Sequence, residues 1–261
     1  MTDINLVGRV FITSHIKTLS GLHIGGSNTG LEIGGVDKAV LRNPLTDEPY
    51  IPGSSLRGKM RSQLEKVHGL KQNKRIGQAT IHSCDSETEY KTCPVCMVFG
   101  IPADENIKEA KPARMVVRDV LLDPGSKAEF IEMKVKSLSE FKTEVAIDRV
   151  TSAAVPRTME RVPAGAVFGP SELVFGIYEK ADYDRLKTVI QAMQLVEDDY
   201  LGGSGSRGSG KVQFTSIKVS SRKSQDYSKA MEFDGSFENV QQLADRFDEL
   251  KAWLSANIPM E

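Results

Sequence analysis

The chain has 261 residues, of which 39% are hydrophobic and 26% charged, with 22 glycines and 11 prolines. That composition can bury a core, which excludes wholesale disorder, and the length suits one large domain or two small ones. With 34 basic and 35 acidic side chains the net charge is −1, so a nucleic-acid partner has to be sought in local charge and not in the total.

No run of eighteen apolar residues occurs, so no membrane-spanning helix is expected. The start MTDINLVGRV carries an acid at Asp3 and no apolar stretch before a cleavage site, so no secretory leader is expected. The three cysteines all lie between residues 84 and 96. An odd, clustered set argues against a disulfide framework and for a reducing, cytoplasmic setting with a local metal or thiol use.

In chain order, residues 7–24 are rich in β-branched types and read as a long first strand. Residues 39–51 read as a hairpin broken at Asn43-Pro44 and Asp47-Glu48-Pro49. After Pro52-Gly53 a helix is expected, capped by Ser54 or Ser55, with Leu56, Met60, Leu64 and Val67 on one stripe. Residues 71–113 look irregular. Strands are expected over 114–122, 172–179 and 211–220, and a helix over 182–196. The segment 130–165 reads as a β-hairpin arm. A last helix is expected over about 236–257, with Phe237, Val240, Leu243, Phe247, Leu250 and Leu254 on one face.

Without the inserts at 25–52, 71–113 and 130–165, the order is strand, helix, strand, strand, helix, strand. This predicts an α+β, ferredoxin-like sheet, an architecture shared with RNA-recognition domains, over residues 1–220, followed by a helical extension over 221–261.

Five constellations bear chemistry. His82-Ser83-Cys84 followed by Cys93-Pro94-Val95-Cys96 offers four zinc ligands, two from a Cys-x-x-Cys knuckle and two to close the tetrahedron. A redox dithiol is the alternative, but that motif opens a helix in a thioredoxin-like unit, whereas this one sits in a polar insert. A structural zinc is therefore expected. The run Leu201 to Gly210 (LGGSGSRGSG) followed by Lys211 imitates the start of a P-loop. Val212 stands where the magnesium-binding Ser or Thr is needed, and a strand pattern follows in place of a helix. Its glycines Gly202, Gly203, Gly205, Gly208 and Gly210, with Arg207 and Lys211, favour contact with a phosphate backbone over a plain linker.

The helix region from Ser54 to Ile76 carries Arg57, Lys59, Arg61, Lys66, Lys71, Lys74 and Arg75 against Glu65 alone. Residues 224–261 hold eight acids and three bases. The neutral total thus hides a polarised molecule with one cationic face, the pattern of a nucleic-acid binder. Asp37, in the Gly-rich stretch LEIGGVDK, is either a turn former or a carboxylate held beside a bound backbone. The 140–165 arm sets Arg149, Arg157 and Arg161 against Glu140, Glu144, Asp148 and Glu160, either as a solvated ion-pair ladder or as a wedge for a duplex. The histidines form no Ser-His-Asp order and no His-Glu-x-x-His helix.

GLHIGG (21–26), IGGVDKAVLRNP (33–44), PYIPGSSLRGKMR (49–61), CPVCMVFG (93–100), RVTSAAVPRTMERVPAGAVF (149–168) and LGGSGSRGSGKV (201–212) together resemble the RAMP superfamily. Within it they most resemble the repeated backbone subunit of the type III-A CRISPR effector, the Csm complex. The resemblance spans about residues 7–220. It implies a ferredoxin-like palm with inserted fingers and a thumb hairpin, several copies stacked on a guide RNA, and contacts with other Csm-type subunits. It also implies cutting of complementary target RNA at regular kinks, with Asp37 as the cutting residue and a divalent cation, magnesium or manganese, as cofactor. Guide contacts are implied at Ser54, Ser55, Arg57, Lys59 and Arg61 and in the 202–210 loop, the 140–165 arm is the implied thumb, and the His82, Cys84, Cys93, Cys96 set fits a zinc-binding insert. Asn43 replaces an acidic residue of the family pattern, so no role carries over there. The competing readings are a non-catalytic RNA-binding scaffold and the equivalent type III-B subunit. All of them require residues 54–61 and 202–211 on one side of the molecule.

Overall fold

A computed structural model describes residues 4–25, 39–102, 107–108 and 110–260. Gly26 and the stretch with Asp37 fall outside them. Strand β1 (Gly8–Thr18) alternates strictly, with Val10, Ile12, Ser14, Ile16 and Thr18 inward and Arg9, Phe11, Thr13, His15 and Lys17 outward. It is shorter than the expected 7–24 strand. Leu19 and Ser20 bend the chain away, and Leu22 bridges to Val162 instead. The turn expected after Asn43 is present, closed by the Asn43 N–H donating to the Glu48 carbonyl at 2.9 Å. The expected hairpin ends at the Arg42–Pro49 bridge, because β2 (Tyr50–Ile51) pairs with Val120–Leu121.

Helix α1 (Gly53–Val67) starts before the two serines expected to cap it. Pro52 takes the cap position without a side-chain bond, and the Gly53 N–H donates to Asp119 Oδ1 at 2.7 Å. A carboxylate from a distant segment thus sits at the positive end of the helix. The insert expected to be irregular contains β3 (Lys74–Ile76), β4 (Ala79–Ile81), α2 (Glu87–Thr92) and α3 (Pro94–Phe99). Six-residue helices and three-residue strands are too short to show a period. The 114–122 strand splits at Arg118-Asp119 into β5 (Met115–Val117) and β6 (Val120–Leu121). Helix α4 (Pro124–Glu132), which no periodicity announces, starts at a proline and is capped by Asp123 Oδ1, accepting from Gly125 and Ser126 N–H at 2.9 and 3.1 Å.

The arm is a hairpin of β7 (Glu140–Ile147) and β8 (Ala154–Arg161). Then come β9 (Val167–Ile177), α5 (Asp182–Asp198), β10 (Val212–Lys223) and β11 (Met231–Glu232). The single last helix expected is two, α6 (Val240–Asp245) and α7 (Phe247–Asn257), separated at Arg246. The main sheet has the order β11-β10-β1-β9-β5 and its pairs are antiparallel. The order strand, helix, strand, strand, helix, strand is carried by β1, α1, β5, β9, α5 and β10, and the fold is mixed α and β. Helix α5 buries Leu186, Ile190 and Met193 fully, each worth about 1.5–3 kcal/mol on removal from water. Helices α1, α6 and α7 pack beside it. No helix among the described residues is long and apolar enough to cross a membrane.

The start of α5 is tied to β5 by a buried ion pair. Arg114, fully buried, donates to Asp182 Oδ1 at 3.0 Å, and Asp182 Oδ2 accepts the Tyr178 and Glu179 N–H groups. Burial works against ionisation of nearby Glu179, but the Lys111 and Arg185 cations outweigh it and hold its pKa at about 2. Its stabilising share is complete above the ordinary glutamate value and is lost as pH falls from about 4.5 towards 2. Chemical denaturation across pH 2–6 should therefore show stability dropping in this window, and the drop should be shallower for Glu179→Gln. An identical pH profile for the variant would remove Glu179 from the account.

Candidate nucleic-acid interface and metal centre

The four expected metal ligands converge. The ligand atoms of His82, Cys84, Cys93 and Cys96 lie within 4.8 Å of one another and all four residues are buried. His82 and Cys84 follow β4, Cys93 caps α3, and Cys96 lies in its first turn. Asn73 braces the first pair, bonding the Ser83 N–H at 2.9 Å and its carbonyl at 2.7 Å. His82 Nδ1 lies 3.0 Å from the Lys71 carbonyl, which turns Nε2 toward the sulfurs, 3.6 Å from Cys84 and 3.5 Å from Cys93. A tetrahedral zinc with bonds of about 2.0 Å to nitrogen and about 2.3 Å to sulfur separates N from S by about 3.5 Å. The Cys96 thiol lowers the Cys93 pKa to about 5, while burial raises that of Cys84 to about 12 and the hydrogen bond with Cys93 raises that of Cys96. The buried thiols thus favour one negative charge among them, and a divalent cation lets all three ionise. This donor set can hold a metal with four protein ligands and no open position.

Helix α1 carries the basic residues named from sequence, and their surroundings differ. Ser54 is exposed and Ser55 half-buried in the first turn. Arg57 lies over the Phe99 ring and donates to the Phe99 carbonyl. Burial, then the neighbouring Arg61 charge, lower its pKa. Arg61 is 9% exposed, and its guanidinium bonds Glu65, the Gly100 carbonyl and the His82 carbonyl. It ties α1 to the metal insert. Lys59 Nζ is 2.7 Å from Asp199 Oδ2 and 3.5 Å from the centre of the Tyr200 ring. That ring lies against Gly205. Residues 54–61 and the glycine loop are therefore neighbours.

The loop itself is pinned by backbone. The Gly203 N–H donates to the His23 carbonyl and the Gly210 N–H to the Gly21 carbonyl, at 2.8 and 2.9 Å, and the Lys211 N–H donates to Ser20 Oγ at 3.0 Å. Gly202 and Gly210 have φ of +77° and +87°, and a β-carbon on either would collide with a carbonyl oxygen, that of His23 or Leu201. Several of the N–H groups expected to face a phosphate chain thus hold the loop in place. Arg207 and Gly208 at its tip are exposed, as is Lys211.

The hairpin meets this loop. Glu144 joins Arg157 at 3.0 Å and Arg207 at 3.1 Å, Lys142 Nζ donates to the Arg207 carbonyl at 3.0 Å, and Arg161 pairs with Glu140. Arg149 is exposed between the two strands. Glu160 ties the hairpin to the segment after Asp37. Its carboxylate accepts from Val40 N–H at 2.9 Å, Arg42 at 2.6 Å and Ser139 at 2.6 Å, and its carbonyl lies 2.8 Å from His23 Nδ1. Burial would raise this carboxyl, but these donors hold it below the ordinary value. A Gly25–Val40 bridge closes the base of the intervening stretch. Asp37 itself lies outside the described residues, which resume two positions later at Ala39.

Glu144, Glu160, Asp119 and the Asp199-Tyr200 pair also organise the site, and the sequence marks the two glutamates only as charge partners along the arm. Asp199-Tyr200 stands directly before the glycine run, the one local signal for this role. Gly210→Ala should destabilise the chain by about 1–3 kcal/mol through positive φ and the carbonyl clash. Thermal unfolding checks this, and an unchanged midpoint would show that the loop relaxes freely.

The model of the RAMP superfamily matches residues 15–213. The chain is 40% identical over 222 residues to the CRISPR system Cms endoribonuclease Csm3 of Methanocaldococcus jannaschii, covering 84% of each chain. It is 36% identical over 214 residues to the protein of that name from Streptococcus thermophilus, covering 81% of this chain and 89% of the other. A chain of the Csm3-Csm4 subcomplex in the type III-A CRISPR-Cas interference complex superposes with a TM-score of 0.61 at 30% identity, over 94% of this chain and 98% of that one. Methanopyrus kandleri Csm3, at 22% identity, shares the fold with a TM-score of 0.65 over 95% and 98% of the two chains. By sequence and by fold, the chain belongs to the RAMP superfamily and, within it, to the Csm3 proteins.

Proposed function

We propose that the chain is the repeated backbone subunit of a cytoplasmic type III-A CRISPR ribonucleoprotein, and that it binds guide RNA and cuts complementary target RNA at regular intervals. The observation that carries this reading is the continuity from α1 through Lys59, Tyr200 and Gly205 to Arg207, and from Arg207 through Glu144 into the hairpin. Residues 1–220 then act as a ferredoxin-like palm with inserted fingers and the β7–β8 thumb, and residues 221–261 as an extension. Further copies and other Csm-type subunits complete the particle.

In this reading Ser54, Ser55, Arg57 and Lys59 face the guide backbone together with the tip of the glycine loop. The negative charge of a phosphate beside Arg57 offsets both effects that lower its pKa, its burial and the like charge of Arg61. Arg149, Arg157 and Arg161 line the thumb, and Arg61 holds α1 in register with the insert. Asp37 precedes by three residues the Val40 that Glu160 fixes, so the thumb and the cutting loop share one anchor. The expected reaction is attack of a 2′-hydroxyl on its neighbouring phosphate, which breaks the bond to the next ribose and leaves a cyclic phosphate and a 5′-hydroxyl. It needs in-line geometry, which a kink at the thumb provides. A divalent cation supplies charge neutralisation at the phosphate, and Asp37 either holds that cation or takes the proton. The His82, Cys84, Cys93, Cys96 site takes structural zinc, with no part in the reaction.

Asp37→Ala in the assembled complex should lower target cutting at least 100-fold while guide and target binding stay within twofold. Cutting at every site as before would move catalysis elsewhere, and loss of RNA binding would make Asp37 structural. Native mass spectrometry should find one zinc per chain, absent in Cys93→Ser/Cys96→Ser, with the insert opened to proteolysis. A zinc-free wild-type chain with a protected insert would contradict the structural site.

A further inference from the structure

The face of the main sheet turned away from α1 and α5 is not used by the proposed guide interface. Along β1 its outward residues are Arg9, Phe11, Thr13, His15 and Lys17, a strip of about 27 Å at roughly 3.4 Å per residue. On β10, Arg222 lies opposite Arg9, Ser220 opposite Phe11 and Lys218 opposite Thr13. At one end the Arg222 guanidinium lies 5.7 Å from the centres of both the Phe11 and Tyr227 rings, and Arg9 donates to the Tyr227 hydroxyl at 3.1 Å. Two rings and two guanidinium planes are thus interleaved on an open sheet.

At the other end the β1 register shifts against both neighbours near Ser14 and His15. Such bulges re-aim side chains. Beside this one lies a cavity of 720 Å³ lined by His15, Lys218 and the hydroxyls of Thr13, Thr215 and Ser216. Glu172, in the same outward row, is neutralised by Arg118 at 2.6 Å. Glu232, Asp234 and Glu238 stand along the β11 side of the grooves, a like-charge wall that confines a polyanion to β1 and β10.

We propose that this face binds a second stretch of single-stranded RNA, unpaired with the guide and recognised without regard to sequence. Lys17, Lys218, Arg9 and Arg222 take the phosphates, and Phe11 and Tyr227 with the two guanidinium planes offer stacking surfaces, the combination that single-strand binders use. A protein partner is less favoured, because the four cations Arg9, Lys17, Lys218 and Arg222 outnumber the apolar side chains open on this face, Phe11, Tyr227 and Val116. The proposal rests on the reading of the chain as a guide-binding subunit only in the sample it requires.

The test uses the guide-loaded complex and a fluorescein-labelled oligo(U) twelve-mer with no complementarity to the guide, read by anisotropy. With four phosphate contacts, affinity should fall roughly 50-fold between 50 and 200 mM salt. Arg9→Ala/Lys218→Ala/Arg222→Ala should weaken binding at least tenfold, and Phe11→Leu, which keeps apolar packing, severalfold. Guide content and cutting of a target without flanks should be unchanged. Equal oligo(U) binding by wild type and both variants overturns the proposal. So does loss of another subunit from the triple variant with RNA binding intact, which would make this a protein-docking face. A complex that purifies without guide RNA counts against the functional reading, whereas a guide-loaded complex indifferent to oligo(U) counts against this proposal alone.

Discussion

The site depends on one steric fact, that backbone touches backbone between residues 21–24 and 201–210. The His23 carbonyl fills the space where a side chain on Gly202 would be, and the Leu201 carbonyl does the same at Gly210. Hydrogen bonds from Gly203 and Gly210 then lock the exit of β1 against the α5–β10 connection. Because Leu22 also bridges to Val162 at the end of the hairpin, and Gly25 to Val40, four chain segments meet at this one seam. Nothing longer than glycine permits that approach.

Around the seam the charges are arranged more than they are accumulated. A net charge of −1 leaves no excess positive charge to draw RNA in, so the placement of individual cations matters more than their number. Lys59 is instead held by Asp199, Arg207 by Glu144, and Arg42 by Glu160. The partly exposed Arg207–Glu144 pair adds little stability, while Lys59 and the Arg42–Glu160 pair are largely buried, and all three fix where long cationic side chains stand before any ligand arrives. Pre-orientation lowers the ordering cost of binding. The insert next to α1 solves a different problem. Its short helices bury Tyr90, Val95 and Phe99 in the common core, four candidate metal ligands lie beside them, and Arg61 bonds the His82 carbonyl as the link to α1.

Much of this was legible. The period-two alternation of β1 and the stripe of α5 gave the order of the core elements, and the Cys-x-x-Cys spacing with His82 and Cys84 named a set of donors that the fold brings together. What escaped was short or non-local. Helices α2 and α3 have no room for a period, although Ser86 and Cys93-Pro94 cap and start them. The α1 cap came from Asp119, 66 residues away, which no local pattern encodes. The roles of Glu144 and Glu160 depend on tertiary neighbours, and a carboxylate in a mixed-charge hairpin does not announce its partner. Asp37 rests on resemblance to the family and on the anchoring of Val40.

The proposed guide track, from α1 across the seam to the β7–β8 hairpin, is tested most directly by ultraviolet crosslinking of the assembled ribonucleoprotein, with the joined peptides mapped by mass spectrometry. The account predicts guide-RNA adducts on peptides containing residues 54–59 and on those containing 204–211 in the same particle, with hairpin peptides joined to the guide–target duplex. Adducts on only one of the first two, with the other fully protected by protein contacts, would contradict it.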